Sequence, residues 1–139
     1  MILDPAFPLP IRVKITDDSH AIAAAQIGRQ MGAALGFSSV QQTALATAIL
    51  EITRNIVKYA QQGEVTLEVA HNGALQGVRV TARDSGPGIP DIEQAMRDGF
   101  STGRSLGLGL PGARRLMDTF TLDSQPGCGT TVIMTKWQA

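Results

Sequence analysis

Asp84-Ser85-Gly86-Pro87-Gly88-Ile89 sets a carboxylate beside two glycines, and Gly103-Arg104-Ser105-Leu106-Gly107-Leu108-Gly109 places three more just ahead of a helix-like run. Glycine has no side chain to hold a ligand away and reaches dihedrals closed to other residues, so such segments let main-chain amides approach a bound group. The pattern suits a nucleotide: the Asp84 carboxylate accepts from an adenine amino group, and later amides and a helix N-terminus close on phosphates. Asp84-Ser85-Gly86 equally satisfies an Asx turn at a strand end, and the later glycines could be linker and helix start alone. Gly127, Gly129, Thr130 and Thr131 read either as a hairpin turn or as the closure of a pocket behind adenine.

A second constellation lies upstream. Thr47, Glu51 and Asn55 stand four residues apart and share one helix face, with Lys58 three beyond on nearly the same stripe. In isolation such a stripe is usually solvated. Here Val40, Leu45, Ile49, Ile52, Ile56 and Tyr59 recur at helical spacing, so the helix is expected to be largely buried and its polar residues need partners. A divalent cation with phosphates and waters would supply them, because an Asn carbonyl oxygen is a hard ligand suited to magnesium. A neighbouring Glu could polarise an attacking hydroxyl or water. Lys58 and Arg104 are placed to meet phosphate charge, with solvated cations as the alternative. His20 and His71 are expected at the surface, and Trp137 in sheet packing.

The elements that must position these residues follow from periodicity. Ile11, Val13 and Ile15 alternate with polar residues as in a half-buried strand. Asp18 or Ser19 can cap a helix running to about Leu35, stopped by Gly36, and Ser38 or Ser39 caps a second one that ends at Gln61-Gln62-Gly63. Two alternating runs, Val65-Leu67-Val69 and Val78-Val80-Ala82, join through a turn containing Asn72-Gly73. After a glycine-rich stretch with a helical turn or two around Asp91 to Arg97, a helix spans about Leu108 to Asp118, then strands cover Thr119–Ser124 and Thr130–Trp137. The order β-α-α-β-β-loop-α-β-β implies an α/β (α+β) two-layer sandwich, a mixed sheet with helices on one face. Regular βαβ alternation of the doubly wound kind is absent. Loops beyond about 12–15 residues are uncommon and often functional, so the segment of about 86–109 reads as a lid, expected to be ordered by phosphates.

At 139 residues one domain, 1–139, is the simplest organisation. Twelve basic residues balance twelve acidic ones, which gives no reason to expect nucleic acid or an anionic membrane as partner. Cys128 is the lone cysteine and fits a reduced, cytoplasmic protein. The apolar start, Met1 to Pro10, carries three prolines and no basic residue, unlike a signal peptide or a membrane span.

In order, Glu51-x-x-x-Asn55, Asp84-x-Gly86-x-Gly88, Gly103-x-x-x-Gly107-x-Gly109 and Gly127-x-Gly129-Thr130 resemble the N, G1, G2 and glycine-threonine boxes of the GHKL ATPase superfamily. The resemblance runs from Ile11 to Trp137 and implies a Bergerat-type ATP-binding fold. Residues 51–60, 84–96 and above all 98–118 look like RsbT-type serine/threonine switch kinases of stressosome partner-switching modules. The resemblance implies ATP and Mg2+ as cofactors, Asn55 as the magnesium ligand, Glu51 as base toward the acceptor hydroxyl and Asp84 as adenine anchor. Gly86, Gly88, Ile89, Gly103, Gly107, Leu108, Gly109 and Thr130 would line the nucleotide, with Lys58 and Arg104 near its phosphates. It further implies STAS-domain substrates and, on release from them, activation of a PP2C-type phosphatase. An anti-sigma factor kinase and a non-catalytic nucleotide-binding adaptor are the competing readings. A histidine kinase would need a dimerisation helix, and a chaperone or topoisomerase subunit a transducer domain; the sequence leads one to expect neither.

Overall fold

The computed structural model describes residues 9–88, 96 and 109–138. Strand β1 is Ile11–Ile15, followed by helices α1, Asp18–Ala34, and α2, Ser39–Asn55. A π-helical turn, Ile56–Ala60, continues directly from α2. Strands β2, Gly63–Asn72, and β3, Leu75–Asp84, form a hairpin; helix α3, Gly109–Leu116, and the hairpin β4, Thr119–Gln125, with β5, Gly129–Trp137, complete the described chain. The helical turn expected around Asp91 to Arg97 falls almost wholly outside the described residues.

The five strands lie in the order β1-β2-β3-β5-β4, and each neighbouring pair is antiparallel. The expectation of a mixed sheet is thereby corrected. A parallel neighbour needs a crossover that returns the chain to its starting end. The crossover between β1 and β2 instead holds two helices, one out and one back, so β2 enters from the opposite end. The two hairpins add antiparallel pairs by construction.

Period-two alternation points Val65 and Leu67 of β2, Val78, Val80 and Ala82 of β3, and Val132 and Met134 of β5 toward the helices, where all are buried. Ile49 and Ile52 of α2, Met31 of α1 and Ala113 of α3 meet them. At Gly28 of α1 a methyl group would collide with the end of the Ile49 side chain, which would have to shift to make room. Trp137 packs on the sheet as expected, over Gly77, whose missing side chain leaves it room.

Local signals set the helix starts. Ser38 caps α2 in a capping box: its hydroxyl accepts from the Gln41 amide at 3.1 Å and Gln41 Oε1 accepts from the Ser38 amide at 2.9 Å. The α1 cap falls one residue earlier than expected, on Asp17, whose carboxylate accepts from the His20 amide at 3.1 Å. His20 itself is half-buried, with Nδ1 3.0 Å from the Thr16 amide, whereas His71 is exposed. Two residues assigned to the apolar stripe of α2 are not buried: Val40 is 77% and Tyr59 49% exposed. Val40 lies in the first turn, at the rim of a groove. Tyr59 lies in the π turn, whose wider winding rotates it away from the core stripe that α-helical spacing would have continued.

Candidate functional site

The C-terminal half of α2 carries Glu51 and Asn55 one turn apart. Glu51 is 8% exposed, and one carboxylate oxygen accepts from the main-chain amide of Gly109, the first residue of α3, at 3.1 Å. Asn55 is half-buried, and its carboxamide makes no hydrogen bond to another described residue. Thr47, at the other end of the same stripe, lines a separate groove of about 470 Å³ between α2 and α3, with Val40, Ala44 and Leu116. The stripe therefore divides between two places. Lys58 falls in the π turn, exposed, with its ammonium 5.2 Å from the centre of the Tyr59 ring.

Asp84 ends β3 on the helix-facing side of the sheet, in step with Val78, Val80 and Ala82. Its Oδ1 accepts from the Gly86 amide at 2.9 Å, which is the Asx turn; among the described residues its Oδ2 is left uncommitted. Turn and nucleotide anchor are thus compatible roles for the two oxygens of one carboxylate. Opposite Asp84 on β5 stands Thr130, whose hydroxyl is 2.8 Å from that of Ser124 on β4.

Close backbone approaches bind these segments together. A methyl group on Gly86 would come within 2.6 Å of the Ala60 side chain, so the turn after β3 lies tight against the π turn that follows Asn55. The Gly127 amide donates to the Pro87 carbonyl at 2.8 Å, and Gly88, at φ +80°, has the Gln125 carbonyl where a side chain would be. Gly129, at φ +81°, likewise faces the Asp84 carbonyl; that dihedral is costly for any side-chain-bearing residue. Four separated stretches of sequence, around Glu51 to Ala60, Asp84 to Gly88, Gly109 and Gly127 to Thr130, therefore meet at one end of the sandwich. Ile89, Gly103, Arg104, Gly107 and Leu108 lie outside the described residues.

Sequence reasoning missed Ser124. It is 8% exposed and donates toward the Gly129 carbonyl at 3.3 Å while touching Thr130. The signal was present, since Ser124 is in phase with Phe120 and Leu122 and so had to face the interior. It also missed the π turn, which pairwise helical spacing cannot reveal.

The donor set suits a magnesium nucleotide. Among the described residues, Asn55 offers one uncommitted hard oxygen, and no three His, Cys, Asp or Glu side chains gather to hold a metal alone. Phosphates and waters would have to complete the shell, which is how magnesium is usually bound.

The sequence profile of the histidine kinase-, DNA gyrase B- and HSP90-like ATPases matches residues 40–138. The chain is 46% identical over 125 residues to the serine/threonine-protein kinase RsbT of Bacillus subtilis, covering 90% of this chain and 94% of that one. It is 34% identical over 101 residues to an anti-sigma F factor of Bacillus licheniformis, covering 68% of each. Among solved structures it superposes on the mycobacterial sensor histidine kinase MprB with a TM-score of 0.54 at 18% identity, over 93% of this chain and 96% of that one, a likeness of fold. The chain belongs to the histidine kinase-, DNA gyrase B- and HSP90-like ATPase family, on the branch of the RsbT serine/threonine kinases.

Proposed function

We propose that this chain is an ATP- and magnesium-dependent protein serine/threonine kinase that phosphorylates STAS-domain partners in a stress-signalling switch and, released from them, activates a PP2C-type phosphatase. The observation that carries the site reading is the meeting of Glu51, Asn55, Asp84, Gly109 and Thr130 at one end of the sandwich. Kinship with RsbT, 46% identical over nearly the whole of both chains, supports the choice of a protein hydroxyl as acceptor.

In this reading the Asp84 oxygen not used in the turn accepts from the adenine amino group. Thr130, steadied by Ser124, closes the pocket behind it. The Asn55 carbonyl oxygen would hold the magnesium ion, and main-chain amides at the start of α3 would face phosphate. Bound magnesium nucleotide supplies the phosphoryl group and neutralises its developing charge. Glu51 takes the proton from the acceptor hydroxyl. Gly86 and Gly88, whose missing side chains let the turn after β3 lie against Ala60 and Gln125, would set the shape of the pocket floor. Ile89, Gly103, Arg104, Gly107, Leu108 and Lys58 keep the contacts to nucleotide that family resemblance gives them. Such a switch works among cytoplasmic proteins, and no described helix is long and apolar enough to cross a membrane.

Incubation with ATP, magnesium and a cognate STAS protein should yield phosphoserine or phosphothreonine on that protein. No phosphoprotein, or equal yield from Glu51→Ala, would refute the kinase reading. The 34% identity to an anti-sigma F factor favours one other reading, that the regulatory target is a sigma factor. Stable capture of a sigma factor in preference to the STAS protein would select it.

A further inference from the structure

Helix α3 opens with Gly109-Leu110-Pro111-Gly112. The first amides of any helix lack partners within it and sit at the positive end of its dipole. Pro111 has no N–H, so the donors left in this first turn are those of Gly109, Leu110 and Gly112. One of them is already taken, and by an anion: the Gly109 amide donates to the buried carboxylate of Glu51 at 3.1 Å. Glu51 comes from a different helix, 58 residues earlier, so this bond clasps the start of α3 to α2. A buried carboxylate without such a donor would be strongly disfavoured, so helix end and side chain satisfy each other.

We propose that the Glu51 carboxylate is an internal stand-in for phosphate at the start of α3, displaced from the Gly109 amide when nucleotide binds. This rests on the reading of the site as a nucleotide site. A phosphate group seeks the same amide for the same electrostatic reasons. A single N–H cannot serve both anions at full strength. Without nucleotide, one oxygen of the candidate base is therefore tied to the helix and held away from an acceptor hydroxyl. With nucleotide, the amide changes partner and the carboxylate is released beside the acceptor. Availability of the base is thereby coupled to occupancy of the site, which guards the carboxylate from acting when no phosphoryl donor is present.

The test reads amide hydrogen exchange at Gly109 and Leu110 by NMR in the full chain, alongside affinity for a non-hydrolysable ATP analogue with magnesium. Without nucleotide, Glu51→Ala should speed exchange at Gly109 about tenfold or more. Glu51→Gln should sit between, because its amide oxygen accepts the same bond without the charge. The analogue should restore protection in Glu51→Ala. It should bind that variant about two- to thirtyfold tighter than wild type, the range spanned by losing a helix-cap bond, with Glu51→Gln intermediate. Unchanged exchange in Glu51→Ala would overturn the clasp. Equal affinity in wild type and Glu51→Ala would overturn the competition. Equal tightening in Gln and Ala variants would reduce the effect to charge repulsion and overturn displacement at the amide. If the analogue binds none of the three proteins, the site reading falls and the displacement with it, even where the exchange effect remains. If it binds but no phosphate reaches a STAS protein, only the kinase reading falls, and the exchange pattern stands.

Discussion

Glu51 combines burial, a helix-end hydrogen bond and the helix-face relation to Asn55, and each has a separable consequence. Removing a general base typically costs about 10²–10⁴-fold in rate, so Glu51→Ala should lose that much kcat in phosphotransfer without losing nucleotide binding. Steady-state rates beside an equilibrium binding measurement check this. Ser124 makes a subtler prediction. Its hydroxyl is buried against those of Thr130 and the Gly129 carbonyl, so Ser124→Ala leaves Thr130 without its neighbour. Nucleotide affinity should fall severalfold, on the order of 1 kcal/mol for one hydrogen bond, with kcat at saturation little changed. A drop in kcat at unchanged affinity would contradict the placing of Thr130 behind adenine. At this scale the candidate site was legible as a set: Glu51, Asn55, Asp84 and Thr130 were singled out from type and spacing, and they meet at one end of the sandwich. Asp84 shows why alternatives had stayed open, since one of its oxygens makes the local turn and the other does not.

Among the elements, α2 illustrates what periodicity can and cannot give. Its start was readable because Ser38 and Gln41 form a local motif. Replacing Ser38 by Ala should destabilise the fold by about 1 kcal/mol, seen as a lower urea midpoint at unchanged m-value. Its end at Gln61 was readable as well, but the change of winding before it was not. The helix passes into a π turn at Ile56, and Gln61 then adopts φ +70°, a strained dihedral for a residue with a side chain. Gln61→Gly should therefore leave stability unchanged or raise it, against the usual cost of glycine; clear destabilisation would show that the turn is not strained. Exposed Tyr59 is the visible trace of the winding change. The α1 cap gives a pH signature. The Ser19 hydroxyl, then the His20 amide, hold the Asp17 carboxyl below its ordinary range. A lowered folded-state value means that the cap stabilises above the unfolded carboxylate range and is lost as pH falls through the folded value. Acid unfolding of Asp17→Asn should accordingly show a shallower acid limb than wild type, by circular dichroism against pH.

On the scale of the molecule, the antiparallel sandwich serves to bring distant segments to one end. The β2–β3 hairpin delivers Asp84, the β4–β5 hairpin delivers Thr130, and the two-helix crossover delivers Glu51 and Asn55. The layers were legible from element order, but strand direction across the crossover was not, because alternation reports burial and carries no direction. The convergence of the four segments was likewise beyond local pattern; it depends on backbone approaches such as Gly86 on Ala60 and Gly129 on Asp84, which only tertiary structure fixes. On the proposed function, the four converging segments form one magnesium nucleotide site. Titration calorimetry with ATP and magnesium tests it most directly, comparing wild type with Asp84→Asn, in which the carboxamide can keep the turn by its oxygen while presenting NH₂ to the adenine amino group. Saturable binding by the wild type, and its loss in the variant with the fold intact, is the expected result. Equal binding by both would contradict it.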